Sequence, residues 1–323
     1  MGPRDDARLA DEGAQVSAGR GVLRTAEGSR SEAFGPGEWG LLVVTAGVWG
    51  SSFLFIAEGL EAFAPGLVTW LRLLLGVATL SLFPRAREPV ARADLKAVVL
   101  LSVVWMASPL VLLPIAQQWI SSSLTGMING GMPLFAAVIA SLLLRRLPGR
   151  VQMVGLAVGF AGVVLLAIPS DGATATLGGV ALALLATACY GTAVNQAVPL
   201  QQRYGALPVL LRALVISLVL TTPLGLASVP ASSWSWSSFA AVAALGVGGT
   251  ALAYVSMATL VGRAGATRGA VAIYLLPVVA LVLGVTVRGE TVTRLALVGM
   301  GLALIGAIVT SRSEQRVLSD PAA

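Results

Sequence analysis

Histidine is absent from the 323-residue chain, and cysteine occurs once, at Cys189. Without an imidazole, neither Ser-His nor Cys-His nucleophilic catalysis has its general base. A disulfide framework and an ordinary His/Cys metal site both need several such residues together. We therefore interpret Cys189 as a small apolar residue inside a helix, and we predict neither a metal site nor an enzyme of these classes.

Charged residues are also scarce, at 11% of the chain, whereas about 25% is usual for a soluble domain. The chain is 56% hydrophobic and its mean hydropathy is +0.87, so we expect lipid to be its solvent. The net charge is +6, and the basic residues lie in short loops. Their position is better explained by the rule for membrane topology than by binding of nucleic acid. No P-loop is present, so we expect no ATP hydrolysis and no cofactor.

Residues 1–37 contain five arginines and six acidic residues without an apolar run, which predicts a disordered cytoplasmic tail. From Trp39 onward, apolar stretches of the length that crosses a bilayer follow one another. Pro109 and Pro114 predict a kink in the third stretch, and the eighth is rich in glycine. The predicted spans are 39–57, 66–83, 96–114, 119–143, 151–168, 178–197, 207–227, 237–260, 267–287 and 295–311.

Basic residues fall almost entirely on one side of these spans. If the N-terminus is cytoplasmic, the opposite loops hold only Arg288 and Arg294, on either side of Glu290. By the positive-inside rule, both termini are then cytoplasmic, and residues 312–323 form a second cytoplasmic tail. The cytoplasmic loops and the C-terminal tail hold Arg85, Arg87, Arg92, Lys96, Arg145, Arg146, Arg150, Arg203, Arg263, Arg268, Arg312 and Arg316.

The chain also repeats itself. A shift of 144 residues aligns 121–168 with 265–312 without a gap. In the first halves of the two units, Trp49-Gly50 is echoed by Tyr190-Gly191, and Arg72 by Arg212. The coinciding positions are Pro133/Pro277, Ala136/Ala280, Val138/Val282, Arg150/Arg294, Val154/Val298, Gly155/Gly299 and Gly162/Gly306.

Two units of five helices must enter the membrane from opposite sides, because five is odd. We therefore predict an all-α integral membrane protein of ten transmembrane helices in two inverted five-helix repeats, residues 39–168 and 178–311. Inverted repeats are typical of secondary transporters that work by alternating access. The alternative is a duplication that merely builds a larger bundle.

Five segments stand out in order along the two units: "VWGSSFLFI", "WLRLLLG" and "GMPLFAAVIASLLL" in the first, and "AIYLLPVVALVLGV" and "LVGMGLALIGA" in the second. These segments resemble the EamA-type members of the drug/metabolite transporter superfamily. The resemblance implies a fold of ten helices. It also implies a protein that exports or exchanges amino acids, nucleosides or other metabolites. The family often has Gly-Glu after the fourth helix of each unit. Here the second unit has Gly289-Glu290, but the first has Arg145-Arg146.

Polar residues inside predicted spans are the candidate substrate-binding residues. Arg72 lies seven residues after Pro65, roughly 10 Å into its helix. Snorkelling to the head groups is the alternative for Arg72, and the interpretation that we favour for Arg212. Trp49 and Tyr190 hold equivalent interior positions in the two units, which favours a central pocket.

Asn129 has glycines around it and precedes Pro133, where proline frees a carbonyl and a cavity wall could form; a hydrogen bond between helices would explain it equally well. In the second unit Tyr274 precedes Pro277, and we predict helix hinges at both prolines. Gly155/Gly159 and Gly299/Ala303 predict close helix packing. Weaker candidates for the pocket are Tyr254, Asn195, Gln196 and Gln117.

Together these features predict a secondary transporter of small metabolites such as amino acids, in the plasma membrane. The alternatives are a lipid-carrier flippase of the same architecture and a membrane assembly subunit without transport activity. The expected partners are a small-molecule substrate and the bilayer, with a homodimer as a further option. No Asp, Glu or His lies deep in a span, so a proton-coupled mechanism would need Glu58, Glu61 or Glu290; otherwise these are solvated loop carboxylates.

Overall fold

A computed structural model describes residues 35–145, 148–168, 176–264 and 271–319, whose regular structure is helical. The predicted tail, up to residue 34, lies outside the described residues, as do residues 320–323. Segments that directly continue one another, or that lie within one candidate membrane span, are counted as one helix. The helices are α1 (Pro36–Leu60), α2 (Pro65–Leu80), α3 (Leu95–Ser102, Val103–Ala107 and Ser108–Ala116), α4 (Ser122–Asn129 and Met132–Leu144), α5 (Arg150–Ala167), α6 (Leu177–Tyr204), α7 (Ala206–Ala227), α8 (Trp236–Ala243, Ala244–Leu252 and Ala253–Ala264), α9 (Val271–Arg288) and α10 (Arg294–Ser319).

Seven of these helices are long and apolar enough to cross a membrane: α1, α3, α4, α6, α7, α8 and α9. The apolar parts of the other three are shorter, at Pro65–Leu80, Arg150–Leu166 and Arg294–Thr310. Tryptophans with exposed rings lie near helix ends, among them Trp39, Trp119, Trp234 and Trp236. Such positions suit the membrane–water interface, where indole rings concentrate.

Several helix ends differ from the predicted ones. Helix α1 begins at Pro36, inside the predicted tail, and α10 continues to Ser319, beyond the predicted end at 311. Helix α6 passes through Pro199 and ends at Tyr204, seven residues after the predicted end at 197. The physical reason is that an apolar run reports the lipid-soluble part of a helix, while backbone hydrogen bonding continues into polar sequence.

Three helices are interrupted within their length. In α3, a π-helical turn at Val103–Ala107 precedes Pro109, which has no N–H to donate to the carbonyl four residues earlier. In α8, the glycine-rich part forms the π-helical segment Ala244–Leu252.

Helix α4 breaks at Gly130-Gly131 rather than at Pro133 itself. Pro133 lies in the first turn of the second segment, where the missing N–H has no helical partner to lose. Helix α9 runs through Pro277 without interruption.

The helices pack around a buried apolar core. Helix α1 packs against α8 and α9, α6 against α3 and α4, and α2 and α7 against each other. Helices α5 and α10 form an extensive contact along their lengths. There the backbones approach closely: a Cβ atom at Gly162 would lie 2.5 Å from the Gly299 carbonyl oxygen. This is the packing that the small-residue spacing predicted.

Candidate functional site

Arg72 is a buried cation in the middle of α2, with 8% of its surface exposed. Its Nε atom donates to Thr250 Oγ1 on α8, at 2.8 Å. Among the described residues, neither of its terminal Nη atoms has a hydrogen-bond partner. A buried guanidinium normally has its donors satisfied, so these free N–H groups are available to a ligand.

The π-helical segment of α8 forms the surface opposite this guanidinium. Thr250 donates its hydroxyl hydrogen to Leu245 O five residues earlier, at 2.9 Å, and so receives the Arg72 hydrogen bond on a lone pair. At Gly249, a Cβ atom would lie 3.0 Å from Ser52 Oγ and 3.8 Å from Arg72 Nη2. The absence of a side chain at Gly249 therefore keeps space beside the guanidinium.

Aromatic side chains surround the same place. The Trp49 indole donates from Nε1 to Gly249 O, at 3.0 Å, which fixes its ring against α8. Its ring meets Tyr254 edge-on, with centroids 4.9 Å apart, and Trp105 meets the same tyrosine at 5.4 Å. Tyr190 packs between the two largest core clusters, and it and Tyr254 lie within electrostatic range of Arg72.

This group of residues combines one cation with aromatic faces and hydroxyl groups, and it includes no acidic side chain. A carboxylate fits such a site, because guanidinium N–H groups can bind its two oxygens side by side. The rings of Trp49 and Tyr254 offer an apolar surface for the rest of the molecule. The chemistry of this group is therefore suited to an anion, and among the described residues of the group no nucleophile is paired with a base.

Of the five residues predicted from the sequence, the structure brings Trp49, Arg72 and Tyr190 together. Asn129 ends the first segment of α4 with 8% of its surface exposed, and its Oδ1 atom has no hydrogen-bond partner among the residues that the structure describes. Tyr274 donates to Ala307 O at 3.5 Å and packs against a cluster of α4, α5 and α10 residues.

Arg212, the sequence equivalent of Arg72, has a different environment. Its Nη1 donates to Ala86 O at 2.6 Å and its Nη2 to Arg87 O at 3.2 Å. Both acceptors belong to the short helix Pro84–Arg87 between α2 and α3, so Arg212 reaches the end of the bundle. Within the described part of the chain, Arg72 presents terminal nitrogens without a hydrogen bond and Arg212 does not.

Trp105, Gly249 and Thr250 were missed as site residues from the sequence, and Tyr254 was only a weaker candidate. The available signal was the glycine-rich composition of the eighth span, which is the part that forms the π-helical segment. Such segments are frequent at functional sites. Trp105 gave no such signal, because a single tryptophan in an apolar helix is ordinary.

A second polar network lies at one end of the bundle. Arg288, at the end of α9, pairs with Glu58 and with Glu61, the latter at 2.8 Å. Glu290 follows it, and its Oε1 lies 4.0 Å from the Arg288 Nε. All three carboxylates considered for proton coupling therefore meet the same arginine. A cavity of about 170 Å³ adjoins the network. One of its lining residues is Gln117, whose side-chain amide has no hydrogen-bond partner in the described part of the chain.

Glu290 also binds the N-terminus of α4. It accepts hydrogen bonds from the backbone N–H of Ser122 and Ser123, at 2.9 and 2.8 Å, and from both hydroxyl groups, at 2.7 and 2.5 Å. Partial burial alone would raise the pKa of Glu290. The hydrogen bonds, of which that from the Ser123 hydroxyl has the largest effect, outweigh burial and lower the pKa below its ordinary value. The carboxylate thus stays ionised and ties α9 to α4.

Comparison with known proteins identifies similar transporters. The profile of the EamA-like transporter family matches residues 38–168 and 177–312. An uncharacterized transporter of Archaeoglobus fulgidus is 22% identical over 275 residues, 85% of this chain and 99% of that protein. The uncharacterized transporter YdfC of Bacillus subtilis is 26% identical over 269 residues, 81% of this chain and 86% of that protein.

A further relative, the "probable terminal-alkyne amino-acid exporter" of Streptantibioticus cattleyicolor, is 27% identical over 281 residues. That alignment covers 84% of this chain and 92% of the exporter. One solved crystal structure superposes with a TM-score of 0.60 at 18% identity, covering 87% of this chain and 98% of the other. At that identity the likeness concerns the fold alone.

Proposed function

The chain belongs to the EamA-like transporter family and is a transporter rather than an enzyme, and from this premise we propose that it exports small carboxylate-bearing metabolites, such as amino acids, by alternating access. The observation that carries the proposal is the buried guanidinium of Arg72, whose Nη atoms have no hydrogen bond among the described residues. The relative named as an amino-acid exporter is consistent with a substrate that carries a carboxylate.

Alternating access requires two conformations, and we propose that ten spans in two inverted repeats provide them. Reciprocal helix contacts support this: α1 packs against α9 as α6 packs against α4, and α1 against α8 as α6 against α3. Contacts of α2 with α8 correspond in the same way to those of α7 with α3. The π-helical turns of α3 and α8 also lie about 144 residues apart, at equivalent places.

Close glycine contacts support the same relation at atomic detail. A Cβ atom at Gly162 would lie 2.5 Å from Gly299 O, and one at Gly306 would lie 2.5 Å from Gly155 O. The 144-residue shift converts the first contact into the second. Similarly, Gly50 faces Val279 of α9, while Gly191 faces Phe135 of α4, which is the residue 144 positions earlier.

Transport measured in proteoliposomes tests the substrate class. We expect counterflow of radiolabelled leucine, inhibited by other amino acids with a free carboxylate but weakly by leucinamide, which keeps the side chain and ammonium group. Equal inhibition by leucine and leucinamide would remove carboxylate recognition from the proposal. Absence of transport of an amino-acid and nucleotide panel by folded protein would contradict export of small metabolites.

Orientation is proposed from the distribution of basic residues, with both termini cytoplasmic and the protein in the plasma membrane. The single cysteine makes the test simple, because Cys189→Ala leaves a background without thiols. Cysteines introduced at the exposed positions Glu61 and Glu88 are then labelled in intact cells with an impermeant maleimide. Labelling at Glu61 but not at Glu88 is expected, and the reverse pattern would invert the topology. A homodimer stays a prediction.

A further inference from the structure

A cavity of about 430 Å³ opens on the side of the bundle where the short helix Pro84–Arg87 meets α3 and α7. Its lining shares no residue with the Arg72 group, and the proposed transport cycle does not use it. Its lining residues are Arg87, Leu95, Leu211, Arg212, Val215 and Ile216.

The lining has a cationic end and an aliphatic side. At the cationic end, Arg212 is held in place by its hydrogen bonds to Ala86 O and Arg87 O, and the exposed Arg87 side chain stands beside it. Each bonded Nη of Arg212 carries a second N–H group. Along the aliphatic side, Leu95 and Val215 keep 49% and 41% of their surfaces exposed, as expected for side chains that face lipid.

The surroundings of the cavity are positively charged. Arg85, Arg92 and Lys96 are exposed on the same loop and helix start. Two acidic residues, Glu88 and Asp94, lie on the same loop. Asp94 is already engaged by Arg203 at 2.5 Å and by the Tyr204 hydroxyl at 2.6 Å. A ligand at this place therefore meets a net positive charge and an apolar wall.

We propose that this cavity binds one anionic phospholipid, with the phosphate on Arg87 and Arg212 and an acyl chain along Leu95, Val215 and Ile216. A soluble phosphate would satisfy the cationic end alone and leave the aliphatic side without an occupant. Basic pockets at the ends of transmembrane helices are suited to anionic head groups. From the proposed function, the inference takes only that the helices are embedded in a bilayer.

Native mass spectrometry of the detergent-purified full chain tests the proposal by titration with phosphatidylglycerol and phosphatidylcholine. We expect one phosphatidylglycerol to be retained in preference to phosphatidylcholine. Arg87→Gln lowers that affinity about fivefold, the effect typical of one basic residue near an anionic lipid surface. The matched control is Arg85→Gln, two residues away on the same short helix and outside the lining, which is expected to lower the affinity much less than Arg87→Gln does.

Val215→Trp tests the aliphatic side, because it fills the groove without changing charge and is expected to reduce phosphatidylglycerol retention. Equal losses in the Arg87 and Arg85 variants would overturn the site in favour of diffuse surface attraction. Competition by glycerol 3-phosphate at the affinity of phosphatidylglycerol would overturn it in favour of a soluble anion. Retention is measured without substrate, so its failure leaves carboxylate transport by Arg72 untouched, and the converse also holds. Circular dichroism confirms that each variant is folded.

Discussion

Replacing Arg72 by methionine removes the guanidinium while keeping a flexible apolar side chain about as long as the aliphatic stem of arginine. The protein loses one internal hydrogen bond, from Nε to Thr250 Oγ1, worth about 1.5–3 kcal/mol for a charged donor. The substitution also removes the desolvation penalty of a buried cation that has no acidic partner in its group. Removing this penalty raises the free energy of unfolding by several kcal/mol. We therefore expect Arg72→Met to be as stable as the wild type, or more stable.

Substrate binding responds differently. Removing one partner of a buried charge pair weakens binding by about 2–5 kcal/mol, which is about 30-fold to a few thousand-fold in affinity. The expected result is a leucine affinity lowered by at least 30-fold in a protein whose melting temperature has not fallen. Scintillation proximity binding and thermal unfolding of the same purified sample measure the two quantities.

The matched control is Arg212→Met, the equivalent change in the second unit. Arg212 donates two hydrogen bonds to backbone carbonyls, so its loss destabilises the protein by about 1–3 kcal/mol and leaves leucine affinity unchanged. A strongly destabilised Arg72→Met variant with normal leucine affinity would refute the assignment, since Arg72 would then be a structural residue.

Three further changes test other parts of the structure. Because the pKa of Glu290 is lower in the folded state, the ionised carboxylate stabilises the fold. This stabilisation is complete above the pKa of the unfolded state, near 4.5, and is lost as the pH falls below that value. The melting temperature of Glu290→Gln will therefore depend less on acidification than that of the wild type. Gly162→Ala forces a Cβ atom against the backbone of α10 and costs about 1–3 kcal/mol in chemical denaturation, whereas Gly301→Ala, which enters open space, is neutral. Trp49→Phe removes the hydrogen bond to Gly249 O, which costs about 1–2 kcal/mol of stability and so lowers the melting temperature. Selectivity for a carboxylate over an amide is retained.

The membrane class and three members of the Arg72 group could be predicted from the sequence. Low charge and long apolar runs are properties of composition, and an arginine seven residues into an apolar helix is visible without a structure. The contacts around Arg72 could not be predicted in the same way. Thr250 lies 178 residues away along the chain, and its orientation depends on a π-helical turn whose hydrogen-bond register is not encoded in hydropathy.

Equivalent sequence positions also acquired different environments. Arg72 and Arg212 match in the repeat, yet one lies in the core and the other reaches the carbonyls of a turn. The difference arises because α2 packs against the glycine-rich π-helical segment of α8, where the backbone comes close. Helix α7 meets the π-helical turn of α3, which contains Trp105 and Met106 instead of glycines.

The network around Arg288 connects α9 to α1 through two glutamates, and Glu290 continues it to α4. Because its ion pairs are partly open to water, each contributes about 0–1 kcal/mol and weakens as salt is added. This end of the bundle is thus fastened by contacts that dissolved ions compete for. In the proposed transport cycle, opening of this end would become more frequent as the ionic strength rises, and turnover would increase wherever that opening limits the rate.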